Sequence, residues 1–196
     1  MNAEVLNAIQ SGQFVAVSDA TNRENETDLV IAAQAITVEQ MAFMIRHTSG
    51  IICVAMQEDR LRQLGLVLLS TTNPSHFGTP FTMPVDYKPA IRGGVSAQER
   101  VATIHALTNP ATAPDDLGRP GHVFPLQVHA QGLRARQGHT EAALELMQLG
   151  EQYPAAVISE LMNDNGTMMR GDDLKQFLEL NHIPLVRIAE LLNERR

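Results

Sequence analysis

Two short apolar runs, Phe14-Val-Ala-Val17 and Leu29-Val-Ile-Ala-Ala33, flank a polar stretch that ends in Arg23-Glu-Asn-Glu-Thr-Asp28. Both are rich in β-branched residues and too short for an ordinary helix, which predicts strand, charged turn, strand. Ahead of them, Glu4 to Gln10 suits a short helix stopped by Gly12. Thr37-Val-Glu-Gln40 has capping-box spacing and opens a helix running to His47, with Met41, Met44 and Ile45 as its apolar stripe. Ile51 to Met56 is a fully apolar strand, followed by a short helix from Glu58 to Leu64. Leu66 to Gly94 is irregular; Pro80 and Pro84 interrupt Phe81 to Val85, which argues for an edge strand or loop packing.

A second capping box, Ser96-Ala-Gln-Glu99, starts a helix to about Ala106. The proline-rich tract Asn109 to Gly121 reads as an ordered loop or a very short helix, and His122 to Val128 as a strand. A helix beginning at Thr140 closes at Gly150. Ala155 to Leu161 reads as strand, Asp172 to Leu180 as helix, Pro184 to Ile188 as a short strand, and Ala189 to Arg195 as a terminal helix. Strands and helices interleave throughout, which predicts a layered arrangement of helices on a sheet.

At 196 residues the chain suits one large domain, long enough to bury about 70% of its unfolded surface. A hydrophobic content of 44% and a charged content of 19% describe an ordinary globule. The net charge of -7 argues against nucleic-acid binding, which wants a basic face. With one cysteine, Cys53, neither an internal disulfide nor a cysteine zinc cage is expected. The amino terminus carries no basic segment leading into an apolar core, so no signal peptide is expected. No run approaches ~18 apolar residues, so no membrane span is expected either. A cytoplasmic location follows as the default.

Chemistry concentrates in four segments. Glu24, Glu26 and Asp28 crowd five positions and repel one another unless a cation sits among them; a divalent metal with oxygen ligands would answer that. Arg23 beside them suits an anionic substrate. The competing reading is a solvated hairpin tip. In Arg134-Ala-Arg-Gln-Gly-His-Thr-Glu141, Gly138 admits close backbone approach and the following helix offers free amides to an anion. Arg136 adds charge there, Thr140 would cap the helix or donate to phosphate, and His139 could ligate a metal. An N-capped helix with surface arginines is the alternative. His122, at a loop-to-strand junction, is an acid/base candidate or a hydrogen-bonded core residue. Glu160 ends an apolar strand, where proton transfer or a salt bridge would explain its burial. Cys53 reads as a small core residue.

In order and spacing, Arg23-Glu-Asn-Glu-Thr-Asp28, Met41-Ala-Phe-Met-Ile-Arg-His-Thr-Ser-Gly-Ile51, Arg119-Pro-Gly-His-Val-Phe-Pro-Leu126, Gly138-His-Thr-Glu-Ala142 and Asn163-Asp-Asn-Gly-Thr-Met168 resemble the 3,4-dihydroxy-2-butanone 4-phosphate synthase family. The match reaches from about Phe14 to the carboxy terminus. It implies a single α+β domain of three-layer α/β/α type with a mixed sheet. It implies conversion of D-ribulose 5-phosphate to formate and 3,4-dihydroxy-2-butanone 4-phosphate through a metal-stabilised enediol, in riboflavin biosynthesis. Magnesium or manganese is the implied cofactor, and the implied assembly is a homodimer with shared active sites. By matching position, Glu24 and His139 hold the metal. Arg23, Glu24, Asp28, Thr79, Arg136, Gln137, Gly138, His139 and Thr140 bind the sugar phosphate. His122 and Glu160 are catalytic, with Glu26 and Asp19 at active-site positions as well, as is Cys53.

The chain departs from the family at Ala20-Thr-Asn22, usually strongly acidic, and at Thr27, usually glycine. Thr27 would be strained if that position needs positive φ. Arg92-Gly93-Gly94 replaces a Thr-Thr-Gly, with Arg92 either a phosphate ligand or a reshaper of the pocket, and Gln137 replaces a glycine. With the sequence ending at Arg196, the GTP cyclohydrolase II domain often fused to this family is not expected. Two other readings are a paralogue acting on another sugar phosphate and a catalytically silent binding or scaffold protein.

Overall fold

A computed structural model describes residues 2–70, 72 and 77–194. Seven strands, β1 (Val15–Ser18), β2 (Thr27–Ala32), β3 (Cys53–Met56), β4 (Val85–Tyr87), β5 (Leu117–Gln127), β6 (Ala155–Glu160) and β7 (Leu185–Arg187), form one sheet in the order β4-β5-β3-β6-β2-β1-β7. The pairs β3/β5 and β1/β7 are parallel and the others antiparallel, so the sheet is mixed. Every residue of β2 and β3 is buried, as expected of central strands covered on both faces.

Alternation along those strands feeds two separate cores. Ala16, Leu29, Ile31, Val54 and Val157 point to one face. There they meet Met41 and Met44 of α2 (Val38–His47), Leu61 of α3 (Glu58–Gln63), Ile104 and Leu107 of α4 (Ala97–Thr108) and Leu178 of α6 (Gly171–Leu180). Val17, Val30, Cys53, Ala55 and Ile158 point to the other. They meet Val5 and Ile9 of α1 (Ala3–Gln10), Ala142 and Leu146 of α5 (His139–Leu149) and Leu191 of α7 (Ile188–Glu194). The result is the expected α/β/α sandwich. Arg195, placed in the last helix by the sequence pattern, lies outside the described residues.

Both capping boxes form. Thr37 Oγ1 accepts from the Gln40 amide while Gln40 Oε1 accepts from the Thr37 amide, and Ser96 with Glu99 repeats the exchange. Two boundaries move. β5 starts at Leu117, inside the proline-rich tract; the stretch before Phe124 pairs with edge strand β4 beside a bulge, where Pro120 is tolerated without a donor. Phe81 and Thr82 make only isolated bridges, and the edge ladder begins after Pro84, at Val85.

Candidate active site

The turn between β1 and β2 is built around Asp19. Its side chain is shut off from solvent, and Oδ2 accepts from the Glu24 amide at 2.9 Å and from Arg23 Nη1 at 3.0 Å. Oδ1 accepts from the Glu26 amide at 2.9 Å. Negative charge is thereby used to order an otherwise self-repelling loop. Thr27 is an ordinary strand residue opposite Ser18, so its β-branch costs nothing; the left-handed position falls instead at Asn25, φ 54°.

β2 and β6 pair Asp28 with Glu160, and both point toward the face covered by α5. The amino terminus of α5 therefore arrives at the acidic turn. His139 Nδ1 lies 3.2 Å from Glu24 Oε2 and 4.0 Å from Asp28 Oδ1. Asp19, Glu24 and His139 each offer a ligand atom within 4.8 Å of the others. His139 Nε2 and Asp28 Oδ1 are buried with no hydrogen-bond partner among the described residues. Oxygen donors with one imidazole nitrogen suit magnesium or manganese, and the two unpartnered buried polar atoms fit such a group.

Charge here is strongly displaced. Burial pulls the His139 imidazole down, but the Asp28 charge and the Glu24 hydrogen bond outweigh it and lift the pKa to about 9. Burial lifts the Asp28 carboxyl to about 7 despite the His139 charge. Burial also raises Glu26, helped by the charge of Glu160. Glu24 moves the other way: burial is overcome by the His139 hydrogen bond and by Arg23, 2.7 Å away.

Beside this group sits a candidate anion cradle. Gly138 is the amino-terminal cap of α5 and no side chain caps the helix, so the first-turn amides remain available. Thr140 is buried one residue into the helix and does not cap it, contrary to one reading of the sequence. Arg136 Nη1 donates to Glu141 Oε2 at 2.6 Å, and Nη2 reaches Phe77 O and Thr79 Oγ1 at 3.2 and 3.3 Å. Arg136 Nε is buried without a partner among the described residues. A Cβ at Gly138 would meet the Arg136 guanidinium and the Glu141 carboxylate, so a side chain there would push that ion pair aside. Gln137 is exposed on the approach.

Glu160 Oε2 accepts from Ser49 Oγ at 2.5 Å. Cys53 is buried on the same face, its thiol raised well above the usual value by burial and by the Glu160 charge. His122 stands elsewhere. Its Nδ1 is 2.7 Å from Asp86 Oδ2, and its amide donates to Asp86 Oδ1 at 2.9 Å. Gly94, φ 82°, closes over that pair, where any side chain would collide with both. Arg92 is exposed on the adjoining loop, its amide bound to Glu99 Oε1. β5 lies three strand spacings from β2, which sets the two strand backbones about 14 Å apart across the sheet. Among the described residues the His122 ring is paired with Asp86 and is not in the metal-competent trio. The ring is 42% exposed, open to an approaching molecule.

Sequence reasoning missed Asp86 and Glu141. Both are buried carboxylates that orient a candidate site residue. Asp86→Asn is expected to keep the fold but lower turnover on the order of 10²-fold, with metal affinity unchanged. Wild-type turnover would show that His122 needs no orienting anion.

Fold and site together define a mixed α+β protein with a candidate divalent-cation site beside a candidate anion site. The chain belongs to the 3,4-dihydroxy-2-butanone 4-phosphate synthase family, whose model matches residues 3–194. It is 44% identical over 191 residues to the 3,4-dihydroxy-2-butanone 4-phosphate synthases of Edwardsiella ictaluri (97% of this chain, 87% of the relative) and Klebsiella pneumoniae (97% and 88%). A crystal structure of such a synthase in complex with two magnesium ions superposes with a TM-score of 0.92 at 40% identity, covering 96% of this chain and 93% of the other.

Proposed function

We propose that this protein, as a single catalytic domain, converts D-ribulose 5-phosphate to formate and 3,4-dihydroxy-2-butanone 4-phosphate, a lyase step of riboflavin biosynthesis. The observation that carries this reading is the 3.2 Å approach of His139 to Glu24 beside the Arg136 cradle, in a chain of this family. Glu24 and His139 would hold magnesium or manganese, with Asp19 fixing the turn that presents Glu24. A bound divalent ion supplies Lewis-acid charge to the sugar oxygens.

The chain's own residues supply the rest. Arg136, Thr79 and the α5 amides bind the phosphoryl group and fix which carbon lies near the carboxylates. Arg23 balances the acidic turn and can meet the anionic substrate. Proton loss beside the ketone gives an enediol, and later steps return protons, so groups that hold protons near neutrality are needed. Asp28, lifted to about 7 by burial, meets that need, and burial shifts Glu26 beside it in the same direction. Glu160 faces the same space, held by Ser49. His122, oriented through Nδ1 by Asp86, keeps Nε2 for proton transfer at a substrate hydroxyl.

The separation of β5 from β2 favours a homodimer in which each site takes His122 from the partner subunit. No helix among the described residues is long and apolar enough to cross a membrane, and a cytoplasmic location is the reading we adopt. Purified protein with ribulose 5-phosphate and magnesium should release formate, and EDTA should stop it. His122→Ala and His139→Ala variants, each inactive, should recover about a quarter of wild-type activity when unfolded and refolded together at equal amounts, because half the dimers then carry one intact site. Absence of formate would remove the proposed reaction; absence of recovery would remove the shared site.

A further inference from the structure

The acidic turn is gripped from two sides, and only one grip belongs to the hairpin. On the inner side Asp19 takes the amides of Glu24 and Glu26. On the outer side Arg170, 145 residues further along the chain, donates from Nε to Asn25 O at 2.5 Å and from Nη2 to Glu24 O at 3.3 Å. The same guanidinium lies 4.0 Å from Glu26 Oε1. Amide donors face one way and carbonyl acceptors the other, and each set meets an ion of the matching sign.

Backbone bonds that continue the sheet hold Arg170 in place. Leu161, just past Glu160, donates its amide to Thr27 O at 2.8 Å, and the Met169 amide donates to Leu161 O at 3.0 Å. Arg170 follows directly as the residue at the amino-terminal cap of α6. The strand end that carries Glu160 and the turn that carries Glu24 and Glu26 are thus tied through one side chain. A planar fork can bridge two successive carbonyls, which a lysine ammonium cannot do with the same geometry.

We propose that Arg170 is a positioning residue: it latches the turn so that Glu24 faces His139 and Glu26 faces Glu160. It touches backbone oxygens and a carboxylate flank, so its effect on the reaction runs through those residues. Without it, the turn keeps Asp19 as its inner anchor but loses the outer one, and Glu24 spends less time at the position that meets His139. The cost should therefore fall on metal binding and not on the chemical step once the ion is bound.

The inference rests on the proposed metal site for one of its two readouts; the other needs no metal. Hydrogen exchange of metal-free protein should show amides 20–28 exchanging roughly tenfold faster or more in Arg170→Ala, with β3 and β6 unchanged as a control for folding. Manganese affinity, read by electron paramagnetic resonance, should fall about 10- to 100-fold, while kcat at saturating manganese returns to the wild-type range. Arg170→Lys keeps the charge beside Glu26 but loses the fork; it should show the same changes in smaller degree, and it carries the test if the alanine variant does not fold. Unchanged exchange at residues 20–28 in either folded variant would overturn the latch. Faster exchange with unchanged manganese affinity would uphold the latch and count against Glu24 as the metal ligand.

Discussion

His139→Ala is expected to lose manganese binding by more than the ~100-fold that removing an outer partner of a ligand costs, and to release no measurable formate. The imidazole is buried, touches Glu24, and is the nitrogen donor of the candidate trio. Removing it also withdraws the positive charge that faces Asp28. That carboxyl, already raised to about 7 by burial, would then hold its proton at neutral pH and the fold would survive. Stability and activity should therefore separate in this variant. A pH signature follows. The His139 pKa is raised to about 9, so below that value a metal ion must displace a proton from the ring. Manganese affinity should climb as pH rises toward 9 in the wild type, and this dependence should flatten in the variant. Retained manganese affinity would remove His139 from the site.

Glu141→Ala should be the most damaging substitution for folding. The carboxylate is fully buried, accepts Arg136 Nη1 at 2.6 Å through one oxygen and the His129 amide at 3.1 Å through the other. Truncation leaves a guanidinium that is only 17% exposed without its counter-ion. Breaking such a pair costs about 3–5 kcal/mol, which in a chain this size lowers Tm on the order of 10 °C. Ribulose 5-phosphate binding should weaken too, because Arg136 loses the partner that aims it across the cradle. Glu141→Gln keeps an acceptor and should fall between the two. A melting point within about 2 °C of wild type would mean that the pair contributes little.

The sandwich was legible because its central strands are short apolar runs and its helices carry their own start signals. Thr37 with Gln40 and Ser96 with Glu99 are local pairs, and they formed as the spacing dictates. The acidic turn was legible as a cluster of like charges between strands. Those residues alone left a solvated tip open; the family resemblance implied Glu24 with His139 as metal ligands, and the fold sets the two 3.2 Å apart. Long-range partners left no trace in local pattern. Asp86 meets His122 across 36 positions and Arg170 meets Asn25 across 145, and each looks like an ordinary charged residue in its own neighbourhood. Strain at Thr27, where the family has glycine, was conditional on a positive φ; the turn's left-handed residue is Asn25, and Thr27 lies in β2. β5 began earlier than expected because proline marks a loop in the interior of a sheet but is accepted where the partner is an edge.

Pulsed electron paramagnetic resonance of manganese bound to the wild-type protein tests the metal centre most directly. An imidazole nitrogen coupled to the ion, lost in His139→Gln and kept when ribulose 5-phosphate is added, is the expected spectrum. A nitrogen coupling that persists in the variant, or none at all in the wild type, would contradict a centre formed by the acidic turn and the start of α5.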